Sequence, residues 1–86
     1  MTTIKKNKLP KWFDGSHYSD GDTVTNPFSG ESIELTSEEL SMYDFLMGAQ
    51  MLFDMGMPDK DILNDFHKGL DWFRENNAKA YMVLLD

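Results

Sequence analysis

The chain has 86 residues, of which 41% are apolar, 13% aromatic and 27% charged. That is one small domain of ordinary globular composition. Its lack of cysteine excludes a disulfide scaffold, a thiolate zinc site, an iron–sulfur cluster and a cysteine nucleophile. The net charge of −7 is unevenly placed: Lys5, Lys6, Lys8 and Lys11 make residues 1–11 +4 with no acid, and the remaining 4 basic and 15 acidic groups make residues 12–86 −11. An acidic body repels phosphates, so no nucleic-acid partner is expected. The lysine-rich start reads as a flexible basic arm over 1–11.

No apolar stretch follows the first lysines, and the longest apolar run, around Phe45–Phe53, is broken by Gln50 and closed by Asp54. Neither a secretory signal nor a membrane span is expected, and the expected location is cytoplasmic.

In chain order, residues 1–22 are polar and turn-rich, with Asp14-Gly15 and Asp20-Gly21 as turn signals. Trp12, Phe13 and Tyr18 read as anchors that pin this irregular segment to a core built elsewhere. Residues 23–35 read as a β-hairpin. Asn26 accepts bonds from the turn backbone, Pro27 presets φ, and Gly30 takes the left-handed position that closes a type I turn with a bulge. Val24, Ile33 and Leu35 then share one face. A lone hairpin is marginal in water, so this face must pack on helices.

Thr36-Ser37-Glu38-Glu39 matches a capping box. The helix it starts should run from about Ser37 to Met55 and stop at Gly56. Met42, Phe45, Leu46, Ala49, Leu52 and Phe53 fall on one core arc. Pro58 suits the first turn of a second helix, where Asp59 and Asp61 favour the positive end. Ile62, Leu63, Phe66, Leu70 and Phe73 share its core face. The short connection at Gly56-Met57 makes the two helices antiparallel neighbours. Asn77 would point into the core stripe, which predicts an end, a kink or a fresh short helix there. Residues 78–85 are apolar enough for a final helical turn or two.

The first helix is apolar beyond its core arc. Tyr43, Met47 and Met51 form a second line at i, i+4, i+8, flanked by Leu40 and Met55. Ser41, Asp44, Gln50 and Asp54 interrupt that side. A surface helix normally shows water a broad polar face. Three covers are open: the N-terminal segment and hairpin of the same chain, a second copy in a four-helix arrangement, or a different protein met by adaptable methionines. Burying five such side chains contributes on the order of 5–10 kcal/mol before ordering costs, a large part of a small domain's margin. Trp72 sits on the outer arc of the second helix. It is either packed under a loop or an interface anchor.

Groups with chemistry are few. His67 and Asp71 stand at i, i+4, a spacing that reads as a solvated pair in the absence of a nucleophile. His17 lies beside Asp20 and Asp22. Asp20-Gly21-Asp22 echoes a calcium loop but lacks the ligand series and distal glutamate of an EF-hand. No catalytic residue, metal ligand set or cofactor is assigned.

Residues 24–31 (Val-Thr-Asn-Pro-Phe-Ser-Gly-Glu), with Ile33-Glu34-Leu35-Thr36 and Glu39-Leu40-Ser41-Met42-Tyr43-Asp44-Phe45, resemble small uncharacterised proteins of marine tailed phages, cyanophages among them. The resemblance implies a phage setting, either an accessory protein acting in the host cytoplasm or a minor virion component. It carries over no functional residue.

The sequence therefore predicts a single α+β domain over 1–86. An N-terminal irregular segment and a β-hairpin pack on an antiparallel helical hairpin with a short C-terminal helical extension. The expected function is noncatalytic: a protein-interaction or assembly module whose partner is itself, as a homodimer, or another protein. The alternative is an acidic inhibitor or adaptor that binds a host protein, and an enzyme comes third. The interface candidates are Tyr43, Met47, Met51, Met55 and Trp72.

Overall fold

The computed structural model describes residues 8–13, 15–57 and 59–85. The elements run β1 (Asp22–Thr25), β2 (Ser32–Leu35), α1 (Ser37–Asp54), α2 (Lys60–Asn76) and α3 (Ala78–Leu84). This is the expected α+β order. β1 and β2 form a two-stranded antiparallel sheet that pairs Val24 with Ile33 and Asp22 with Leu35. Val24 and Ile33 lean on the core and Leu35 is buried.

The hairpin turn uses the chemistry of its residues. The Asn26 side-chain oxygen accepts from the amides of Phe28 (2.8 Å) and Ser29 (3.4 Å). Gly30 has φ +80°, a region a Cβ disfavours. The closing bond runs from the Gly30 amide to the Asn26 carbonyl (2.8 Å). That is one residue wider than the i to i+3 bond of the expected type I turn. The Asn26 amide nitrogen meanwhile donates to the Val83 carbonyl (2.8 Å), which ties the turn to α3.

α1 starts on the full capping box: Thr36 Oγ1 accepts from the Glu39 amide, and Glu39 Oε1 accepts from the Thr36 amide. It ends at Asp54, with Gly56 at φ +76°. α2 corrects one expectation. Asp59 is its N-cap, and the Asp59 carboxylate accepts from the amides of Asp61 and Ile62. A short carboxylate one residue ahead of a helix satisfies orphan amides better than it could inside the first turn. Pro58 lies outside the described residues.

α1 and α2 pack as a hairpin, and α3 packs on α2 and β2. Met42, Leu46, Phe73 and Ala80 are fully buried, with Phe13 and Leu35 beside them. The helices approach closely at Gly69, where a Cβ would come within 2.9 Å of Leu46 and 3.0 Å of Met42. Leu63, expected on the core face, is exposed. It lies in the second turn of α2, on the flank of the stripe, near the end where the helical hairpin turns. No helix of the described residues is long and apolar enough to cross a membrane.

The N-terminal segment is pinned as its aromatics suggest. Phe13 is buried edge-on against Phe45 (5.8 Å between centroids), and Trp12 also meets Phe45 (6.1 Å). Of the expected basic arm, residues 1–7 lie outside the described residues. Residues 8–11 are seated on the body: Leu9 packs on the core, and the Lys8 carbonyl accepts from the Trp72 indole. Apolar Leu9 and the donor need of Trp72 outweigh the solvation of two lysines there.

Candidate functional site

Two polar groups on α1 that read as solvent-facing or purely local are buried, and they organise one end of the molecule. Glu39 is both the capping-box acid and a tertiary link, because its Oε1 also accepts from Asn77 Nδ2 (3.1 Å). Asn77 ends α2 and caps α3, its Oδ1 accepting from the Ala80 amide. The expected break at Asn77 is thus a capped joint that satisfies a buried carboxylate. Ser41, expected among the interruptions of the outer flank, is buried instead. Its Oγ donates to the Ser37 carbonyl (2.8 Å) and accepts from the Tyr18 amide (2.9 Å). One hydroxyl therefore fastens the irregular segment to α1.

Gly21 completes this end. A Cβ there would fall 2.1 Å from the Leu35 carbonyl oxygen. The residue that reads as a turn signal is present because two backbones meet. Around it, His17, Tyr18, Asp20, Asp22 and Leu40 line an open depression of about 430 Å³. The Tyr18 hydroxyl is held above its ordinary value of 10.0, first by the neighbouring Asp44 carboxylate and then by desolvation and a hydrogen bond to the same group. Tyr43 is raised by burial. Among the described residues no group of three or more His, Asp or Glu could hold a metal ion. His17 and His67 are exposed on separate segments. The Asp71 carboxylate, spaced to reach His67, instead bonds Arg74 (2.7 Å).

The second apolar line of α1 divides. Leu40, Tyr43 and Met47 are half-buried and pack against the core cluster of the same chain. Met51 and Met55 are 63% and 64% exposed. They stand one helical turn apart on one flank, at the closed end of the helical hairpin. The connection and the start of α2 add exposed Met57 and Leu63 to that end. Trp72 is half-buried, with its indole N–H donating to the Lys8 carbonyl (3.0 Å). It stands apart from the methionines, on the opposite half of α2 from Leu63.

The charges around the patch are one-sided. Asp54, Asp59 and Asp61 are exposed and Asp65 is half-buried, against Lys60 alone between residues 50 and 65. The last turn of α1 carries no basic residue, although the negative end of a helix favours one.

A further exposed apolar residue gave little sign of itself in the sequence. Phe28 is 97% exposed at the tip of the hairpin turn. Its position in the middle of a four-residue turn, between Pro27 and Gly30, was the available signal, since turn centres face water.

Compared with known proteins, the chain matches no family model, no curated protein and no solved structure.

Proposed function

We propose that this protein is a small noncatalytic protein-interaction module that works through the closed end of its helical hairpin. One observation carries the reading: four large apolar side chains, Met51, Met55, Met57 and Leu63, are exposed within the stretch where the helical hairpin turns, from the end of α1 to the start of α2. Exposed apolar side chains gathered at one end of a small domain mark a contact site. Methionine suits it, because an unbranched thioether adapts to its partner's shape. The two histidines stand on separate segments, and the depression that gathers His17, Tyr18, Asp20 and Asp22 is open and holds, among the described residues, no nucleophile activated by a neighbouring base. This favours binding over catalysis. The phage setting implied by the hairpin and early-helix resemblance would make the partner a host or virion protein.

The test compares the parent with a Met51→Glu, Met55→Glu variant, both by sedimentation equilibrium and as immobilised bait. The parent should either sediment near twice 9.9 kDa or retain a discrete partner from a host lysate. The variant should lose that behaviour while keeping its helical circular dichroism. A parent at 9.9 kDa that retains only what the variant retains ends this reading.

A further inference from the structure

We infer that the occupant of the Met51–Met55 surface is a short basic, apolar segment of another protein, such as an amphipathic helix with Lys or Arg beside Leu-sized side chains. This rests on the interaction-module reading above.

Three observations choose this occupant. First, the stretch around the patch is acidic and carries no ion pair among the described residues, although Asp59 and Asp61 already face the positive end of α2. Asp54, Asp59 and Asp61 are exposed around the patch, Lys60 is the lone cation in that stretch, and the ion pair among the described residues, Arg74–Asp71, lies elsewhere on α2. Second, the C-terminal end of α1 is the negative pole of the helix dipole, yet its last turn bears Asp54 and no basic residue. That local arrangement opposes the helix. A cation delivered by a partner reverses the sign of both terms, and breaches of local preference concentrate at functional sites. Third, the patch is small. Four exposed large apolar side chains are about as many as one face of a short helix anchors.

A second copy of this chain is disfavoured by the same charges. Two bodies of net charge −7 would meet acid rim to acid rim. An anionic membrane surface is disfavoured for the same reason.

The test titrates two labelled amphipathic peptides of about five helical turns, one of Lys and Leu and one of Glu and Leu, into the full-length protein at low and high salt. The Lys/Leu peptide should bind about tenfold tighter or more, with the difference shrinking at high salt. A Met51→Ser, Met55→Ser variant keeps every charge and should weaken binding about tenfold. An Asp54→Asn, Asp61→Asn variant keeps the apolar surface and should weaken it by a similar factor. Both alter exposed positions and should keep the parent's helical circular dichroism; in the asparagine variant the loss of the favourable Asp61 at the start of α2 is offset by the loss of the unfavourable Asp54 at the end of α1.

Equal binding to the parent and the serine variant would mean attraction by bulk charge, and would overturn the proposal. Equal binding of both peptides, lost in the serine variant, would overturn the basic preference and leave the interaction surface standing. A dimer that the serine variant dissociates would assign the surface to a second copy and overturn the foreign segment. A monomer that binds neither peptide would overturn this proposal. The bait experiment above then decides separately whether the module reading survives.

Discussion

Leu40, Tyr43 and Met47 on the outer flank of α1 are half-buried, whereas Met51 and Met55 further along the same flank are nearly two-thirds exposed. Both stretches are comparably apolar, and both belong to one uninterrupted helix. The difference lies in what reaches them. The first half of α1 receives the irregular segment through Ser41 and Tyr18 and the α2–α3 joint through Glu39 and Asn77, and β2 ends at Leu35 just ahead of its Thr36 cap. The end of α1 packs against α2, as in the Phe53–Phe66 edge contact (5.3 Å). Helical periodicity says which face could be buried. The reach of distant segments says which part of it is.

The contrast can be broken at the covered end. Phe73→Ala should cost about 3–5 kcal/mol, because it empties a fully buried site between α1, α2 and their neighbours. Chemical denaturation with an unchanged slope would measure it, and a cost below about 1 kcal/mol would mean that this end is loosely packed. Gly21→Ala should destabilise by about 2–3 kcal/mol, because the obstacle is the Leu35 carbonyl and not a side chain that can swing away. Asn77→Ala should cost about 1–3 kcal/mol, since it removes the cap of α3 and a donor to buried Glu39 at once. A double-mutant cycle with Glu39→Ala should show a coupling of at least about 0.5 kcal/mol. Strict additivity would show that the two residues act separately.

At the exposed end the same measurements should read nearly flat. Met51→Ala, Met55→Ala and Phe28→Ala should each change stability by less than about 0.5 kcal/mol. A cost of several times that for either methionine would mean that the second half of α1 is covered after all.

The smallest effect concerns the seam between the irregular segment and α1. Tyr18 is raised above 10.0 chiefly by Asp44, so the folded protein holds this proton more tightly than the unfolded chain does. That contribution to stability is complete below pH 10 and is lost as the pH climbs from there through the folded value. Absorbance titration of the tyrosinates should place Tyr18 above 10.0, and Asp44→Asn should bring it back down. No change in that variant would remove Asp44 as the cause.

Much of the architecture was legible in the sequence because it follows from bonds between near neighbours. The Thr36–Glu39 capping box, the Asn26 turn with left-handed Gly30, the stop at Gly56 and the break at Asn77 each depend on a handful of consecutive residues, whose geometry is the same in any fold. The candidate surface was legible only in part. The apolar excess of α1 was visible, but its division at Met47 was not. Nor was the burial of Ser41 or the reach of Glu39 to Asn77. Those outcomes depend on where segments 23 to 38 positions apart in the chain come to rest. Local hydrogen-bond geometry is encoded position by position, whereas burial of a given flank is a property of the whole packing. Only the tertiary structure decided which methionines of one helix would meet the chain's own core and which would be left for something else.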